Sequence, residues 1–338
     1  MIPENKQAAV NKALETAFGV NEFEDIQQLV KGLSSALVFK IVVHGNPYLL
    51  RVITRTDAMA DPTYYFGCMK VAAKAALAPP IYYLNAEDRI SITGFIKEQL
   101  FPIPEAREKM AHLLQQLHSL PKFPYRINYF EAMEQFIAKF LAANMLPESA
   151  TKEVFELYKR ITSVYPLNDQ QNWVSCHNDL KPENVLFDGQ RPWPIDWEAA
   201  FLNDPYLDLA VVGNFVVKNN EDEAEYLQCY FGGAVDEYKY ARFFLMSQIL
   251  HVYYFTFLTL SCFTGKPIDV NTLDQPDFSL FHDRIWNGEI NLANNDAKLQ
   301  YAWVHREALL HRVHTKRFDD SLRIVSEYNK FSLSTNNK

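Results

Sequence analysis

The stretch from Ser175 to Asp208, SCHNDLKPENVLFDGQRPWPIDWEAAFLNDPYLD, decides how this chain is read. It holds His177-x-Asp179, then Asn184 five residues later, then a short hairpin (VLF, DGQR, PWPI) and Asp196. Phosphoryl transfer to a hydroxyl asks little covalent chemistry of a protein. It needs a carboxylate that orients the hydroxyl and accepts its proton, and oxygen ligands that hold magnesium against the phosphates. Asp179 suits the first task. Asn184 and Asp196 suit the second, because hard cations favour oxygen donors. A loop carrying Asp179 and Asn184, joined by a tight hairpin to Asp196, brings three oxygen-bearing side chains to one end of a two-stranded ribbon. The competing reading is that these acids and amides only cap turns.

Upstream, Ile26 to Val30, Ala36 to Val43 and Tyr48 to Ile53, separated by KGLSS and HGNP, read as a three-stranded antiparallel meander. Thr63 to Leu77 has helical composition, Ala78-Pro79-Pro80 breaks it, and IYYLNAEDRISITGFI reads as a further hairpin. From Pro104 the pattern turns helical. EAREKMAHLLQQLHSL sets Met110, Leu113, Leu114 and Leu117 on one face, and helical stretches follow at about 129–145 and 150–164. Between Trp173 and Asp208 two short strands and polar loops interrupt the helices, which resume from about Leu209. The class is α+β, with a small sheet unit over residues 1–97 and a helical unit over 98–338.

A chain of 338 residues has room for two units, and 48% hydrophobic residues with 14% aromatic can bury a large core. Its net charge of −8 supplies no field for nucleic acid or anionic lipid. Cys68, Cys176, Cys229 and Cys262 make no CxxC pair, so neither a zinc site nor a disulfide framework is expected, and a reducing compartment fits. MIPENKQAAVNKALETAF reads as a short amphipathic helix without a signal-peptide core, which points to the cytoplasm. Phe243 to Phe263 runs 21 residues without Asp, Glu, Lys or Arg, about the length of a membrane span. Ser247, Gln248, His251, Thr256, Thr259 and Ser261 are spread through it, so it reads as a helix buried on all sides in a helical domain. The run EDEAE at 221–225 reads as a solvated first turn of a helix. His305, His311 and His314 lack a Cys or carboxylate at ligand spacing and read as histidines scattered on an exposed helix, not as a metal site.

HNDLKPENVLF followed by PIDWEAAFLNDPYLDLA resembles the catalytic core of the aminoglycoside phosphotransferase and choline/ethanolamine kinase superfamily. IDWE followed by NDPxxDLA is more similar to bacterial choline kinases than to antibiotic kinases. The resemblance is strong at 175–210 and weaker over the rest of 25–260. It implies a protein-kinase-like two-lobed fold, with a small antiparallel-sheet N-lobe that binds ATP and a large helical C-lobe for catalysis and acceptor binding. It further implies Asp179 as catalytic base, Asn184 and Asp196 as Mg2+ ligands, and Lys181 at a phosphate-facing position. His177 would support the loop, Asp208 anchor it and His118 pack beside it. Gly32, Ser34 and Ser35 of KGLSS match a phosphate-binding turn, where backbone N–H groups and hydroxyls would cover phosphates. Arg51 in YLLRV matches the basic residue of the third strand and, unlike lysine, could hold phosphate oxygens bidentately. The alternative for Arg51 is an ordinary exposed strand arginine. Phe95 and Ile96, where the small lobe ends, complete the implied nucleotide contacts.

One departure stands out. Relatives usually carry a glutamate on the following helix to pair with that basic residue, yet no Glu occurs between Thr63 and Leu77, and counting back from Pro79 gives Tyr65 and Phe66. Either Asp61 or a carboxylate from another segment substitutes, or the nucleotide is held in a modified way. A protein kinase is the nearest competitor, since HNDLKPEN differs from HRDLKPEN at one position. Only eleven residues separate Asp196 from Asp208, with no DFG and no APE, so no activation segment seats a peptide. A small-molecule acceptor is favoured. Glu198 and the rings of Tyr254, Trp286 and Trp303, with Tyr206 and Tyr253 beside them, suit a cationic amine held by a carboxylate and aromatic faces, against the reading that helix aromatics are core. Trp197 reads as packing beside the metal ligand. The expected activity is ATP- and Mg2+-dependent phosphorylation of a small amine-bearing alcohol such as choline or ethanolamine. An aminoglycoside or other small alcohol is the alternative acceptor, and a catalytically silent nucleotide-binding protein is the alternative from another class. Oligomeric state is not legible.

Overall fold

The computed structural model describes residues 2–29, 36–57, 60–265, 268–270, 273–274 and 276–336. Five strands, β1 (Asp25–Leu29), β2 (Leu37–Val43), β3 (Asn46–Val52), β4 (Ile81–Asn85) and β5 (Ile90–Gly94), form one antiparallel sheet in the order β1-β2-β3-β5-β4. His44 and Gly45 link β2 to β3 with φ of 49° and 71°, the positive values that a two-residue hairpin turn demands. Strand alternation sorts the sheet into two faces. Phe39, Ile41, Leu50, Val52, Ile90 and Ile92 pack with Val10, Ala13 and Leu14 of helix α1 (Glu4–Phe18). The intervening positions, among them Val38, Lys40 and Arg51, therefore lie on the opposite face.

Helix α2 (Thr63–Lys74) joins the larger core through Tyr65, Phe66, Cys68 and Ala72. The helical part follows: α3 (Ile103–His118), α4 (Tyr129–Ala143), α5 (Glu148–Thr162), α6 (Pro205–Val216), α7 (Asn220–Phe231), α8 (Glu237–Ser261), α9 (Phe278–Trp286), α10 (Asn295–Val313) and α11 (Lys316–Asn336). Met110, Leu113, Leu114 and Leu117 are buried on α3 as the periodicity requires. The apolar run falls in α8, which packs against α10, α11, α6, α4 and α5. Its most apolar window is 78% buried within the protein, so the core accounts for its composition.

Three features differ from the sequence reading. Four short strands, not two, interrupt the helices between Trp173 and Asp208: β6 (Val174–Cys176) pairs with β9 (Phe201–Asn203), and β7 (Val185–Phe187) with β8 (Pro192–Pro194). The acidic run at the start of α7 is paired more than solvated. Arg107 binds Asp222 at 2.7 Å and Glu225 at 2.6 Å, and Glu223, 9% exposed, binds Arg317. The histidines of α10 are not uniformly exposed. His311 and His314 are, but His305 is fully buried, because residues four apart on α10 turn Tyr301 and His305 to one inward face.

Candidate active site

The loop between β6 and β7 is fixed before its chemistry begins. Asp208 of α6, wholly buried, accepts the backbone N–H groups of His177 at 2.9 Å and Asn178 at 2.6 Å. It also accepts His118 Nε2–H at 3.2 Å, while His118 Nδ1 takes the hydroxyl of Tyr230 at 2.7 Å; the carboxylate acceptor assigns this tautomer. His177 Nε2–H donates to the Ile195 carbonyl at 2.9 Å, and its ring lies 4.8 Å from that of the buried Trp197. Asn178 sits at φ 66° and donates from its amide to the Ala199 carbonyl at 2.9 Å. Asn tolerates that left-handed backbone better than most side chains, and here it reverses the chain just before Asp179. The supporting parts expected for His177, Asp208, His118 and Trp197 all have a physical contact behind them.

Asp179 emerges from this frame about one-third exposed. Asn184 donates from Nδ2 to its carbonyl and to its carboxylate, both at 2.8 Å, and Lys181 Nζ lies 3.1 Å from the same carboxylate. Burial works against the Lys181 charge, but the carboxylates of Asp179 and Glu183 outweigh it and hold the lysine above its usual pKa. It stays a cation beside Asp179. Because the Asn184 amide nitrogen is committed to Asp179, its side-chain oxygen is the group left to face a metal. Asp196 has φ 60°, another left-handed residue, and the backbone bond from Ile195 N to Asn184 O at 2.9 Å ties the two segments together. An amide oxygen and a carboxylate on adjoining backbones fit Mg2+, a hard cation that takes few protein ligands.

Arg51 reaches these groups from β3 of the small lobe. Its NH1 is 3.3 Å from Asp196 Oδ1, and its NH2 pairs with Glu198 Oε1. The arginine is not an exposed strand residue, since only 15% of its side chain is accessible. Asp61, offered above as a substitute for the absent helix glutamate, instead accepts the N–H and hydroxyl of Thr63 at the start of α2.

The remaining sequence candidates fall in different places. Gly32, Ser34 and Ser35 lie outside the described residues. Phe95 and Ile96 are half-buried just past β5, where Lys40 Nζ stands 5.1 Å over the Phe95 ring. Tyr254, Trp286 and Trp303 are not brought into one cage. Trp303 packs on Phe255 and Arg306, and Trp286 donates to the Phe101 carbonyl at 2.8 Å beside the chain linking the two lobes. Tyr206 is covered by Arg242, which also binds the buried Asp204 at 2.6 Å. Tyr254 stacks on His305 at 4.5 Å, with Tyr253 and Tyr301 adjacent. Burial first, and then neighbouring charges that include Asp179, push these three phenols up and keep them protonated.

Sequence reasoning missed the groups behind that wall. Arg312 NH1 donates to His251 Nε2 at 3.2 Å, and His251 Nδ1–H then donates to His305 Nδ1 at 2.8 Å. His282 donates from Nδ1 to the Phe278 carbonyl at 2.7 Å and accepts the Tyr301 hydroxyl at 3.0 Å on Nε2. Burial holds all three imidazoles below their ordinary pKa, His282 at about 4. They are neutral packing groups and add no positive charge near the site. The available signal was helical spacing, His251 with Tyr254 and Tyr301 with His305, which cannot name the partner helix.

A sheet-bearing small lobe, a helical large lobe and a His-x-Asp loop facing a second Asp are parts that phosphoryl transfer calls for. Residues 25–244 match the phosphotransferase enzyme family, and the chain belongs to it. Two sequences of Protein LicA from Haemophilus influenzae are similar over 182 residues, 29% and 34% identical. Each match covers 50% of this chain and 66% or 52% of the relative, so the chain spans less than two thirds of their length. Among solved structures, a choline/ethanolamine kinase family protein from Mesorhizobium loti is 19% identical with a TM-score of 0.64, covering 95% of this chain and 99% of that one. APH(2'')-IIa in its ternary complex with streptomycin and ATP is 15% identical with a TM-score of 0.58, covering 77% and 91%. At these identities the structures support the fold, and the second holds a nucleotide.

Proposed function

We propose that this phosphotransferase uses ATP and Mg2+ to phosphorylate the hydroxyl of a small, amine-bearing alcohol of the choline or ethanolamine class. The observation that carries the reading is Asp179 held on a doubly anchored loop, with Asn184 and Lys181 fixing its carboxylate and Asp196 on the adjoining turn. The acceptor hydroxyl donates to Asp179, its oxygen attacks the γ-phosphorus, the bond to the departing ADP oxygen breaks, and the proton passes to Asp179. Lys181 sits where it can neutralise charge on the phosphoryl oxygens. Asn184 and Asp196 would hold Mg2+, which when bound screens the phosphate charge. The names of the Mesorhizobium neighbour and of LicA's structural counterpart, a choline kinase from Streptococcus pneumoniae, support the amine alcohol over other acceptors. So do the phenols of Tyr253, Tyr254 and Tyr301 near Asp179, which offer ring faces to a cation, and the histidines behind them, which are neutral.

The test is to incubate the purified chain with ATP and Mg2+ against choline, ethanolamine, other amino alcohols and aminoglycosides, reading phosphoester product by mass. Phosphocholine or phosphoethanolamine formation that stops on chelation is the expected result. Nucleotide binding without product across the whole panel would refute it in favour of a silent nucleotide-binding protein.

A further inference from the structure

We propose that Glu198 is the positioning carboxylate for Arg51, so that the phosphate-facing arginine of the small lobe is held from the helical lobe and not from its own helix. The inference rests on reading the cleft between the lobes as the nucleotide site. It moves Glu198 away from the acceptor amine, the part suggested for it by sequence.

Arg51 is the penultimate residue of β3, paired across the sheet with Val38 and Ser91. Its neighbours Leu50 and Val52 are wholly buried against the α1 side, so the arginine must leave from the other face, toward the cleft. A guanidinium on a long flexible stem keeps one direction only if its N–H groups are engaged. Helix α2, TYYFGCMKVAAK, has no acidic residue to engage it. The α2 side chain within electrostatic reach of Arg51 is Tyr65, a phenol that burial keeps protonated and that offers no charge. Asp61 is spent on Thr63.

Among the described residues, the carboxylates at Arg51 come from the turn proposed to bind the metal, 145 and 147 residues away in sequence. NH1 takes Asp196 and NH2 takes Glu198, so the planar fork is spread over two acids and its plane is fixed. Asp196 carries the burden of a metal ligand as well, and one carboxylate cannot serve a cation and Arg51 without compromise. Glu198 has no such second duty. Its backbone is rigid: Arg126 donates to the Glu198 carbonyl at 2.9 Å, Asn178 holds the next carbonyl, that of Ala199, and Trp197 beside it is buried. Arg126 in turn lies 5.1 Å over the ring of Tyr64 on α2. The small lobe's phosphate contact is thereby set by the relation between lobes, and a chain without a helix glutamate still presents an oriented cation.

The experiment is ATP binding to the full chain by calorimetry, with Mg2+ and no acceptor, run beside steady-state KM values for ATP and acceptor. Glu198→Gln is expected to weaken ATP binding and raise the KM for ATP roughly tenfold, with the acceptor KM held within about twofold. Glu198→Asp, which keeps the charge on a shorter stem, is expected to recover part of that loss. In an Arg51→Met background, Glu198→Gln is expected to leave ATP affinity unchanged, because a residue that works only through Arg51 then has nothing to act on. Arg51→Lys provides a second background that retains the charge but not the fork. A rise confined to the acceptor KM would overturn the proposal and return Glu198 to the amine. Equal losses of ATP binding with and without Arg51 would overturn it too. If the wild-type chain binds no nucleotide, the proposed function fails; if it binds nucleotide and Glu198→Gln binds equally well, only this inference fails.

Discussion

Acidification should destabilise this protein through its buried histidines, and His282 allows the size to be worked out. An unfolded histidine titrates near pH 6.5, whereas His282, 1% exposed, is held at about 4, chiefly by burial. The folded pKa is depressed, so the stability due to the neutral ring is fully present above about pH 6.5. It is lost as the pH falls toward 4, where the unfolded chain binds a proton that the native chain refuses. At about 1.4 kcal/mol per pH unit, His282 alone withdraws about 3 kcal/mol across that window. His251 and His305, also shifted down by burial, act in the same direction. The assay is urea denaturation of wild type and His282→Phe at several pH values between about 4.5 and 7.5. His282→Phe removes the acceptor of the Tyr301 hydroxyl, so it should start less stable at neutral pH and then lose stability more slowly on acidification, by about one proton's slope. Parallel curves for the two proteins would refute the claim that His282 is buried and neutral.

Three further outcomes follow from the site and its supports. Asp208→Ala orphans the N–H groups of His177 and Asn178 and the His118 ring, and should cost on the order of 4 kcal/mol in stability with turnover lost below the unfolding midpoint; a variant with wild-type turnover and stability would remove Asp208 as anchor. Arg242→Met leaves Asp204 buried without its cation and should destabilise by about 3–5 kcal/mol in chemical denaturation, an effect below 1 kcal/mol counting against the pair. Asp179→Asn should reduce kcat by about 10²–10⁴-fold while the melting temperature and ATP affinity stay near wild type; near-normal turnover would place the base elsewhere.

The geometry of the loop proposed for catalysis was legible because it is local. Asp179, Asn184 and Asp196 lie within a short stretch, and the tight hairpin between them imposes their proximity with little help from the rest of the chain. The small-lobe strands and most helices were legible for a related reason, since periods of two and 3.6 residues report which face is buried. Pairing between distant segments was not. The β6–β9 ladder, the link from Arg51 to Glu198, and the His251–His305 contact join residues far apart in sequence. Each depends on how two elements pack, and no local pattern encodes that. The aromatic candidates show the same limit. Composition announced many rings but could not say that Tyr254 faces His305 and Tyr301 while Trp303 turns into the core and Trp286 to the lobe linker. The sequence by itself singled out the groups proposed for phosphoryl transfer, because reactivity belongs to side chains and short spacings. The tertiary structure alone decided which charges and rings surround them, because burial and long-range contact set where an arginine points and whether a histidine carries a proton.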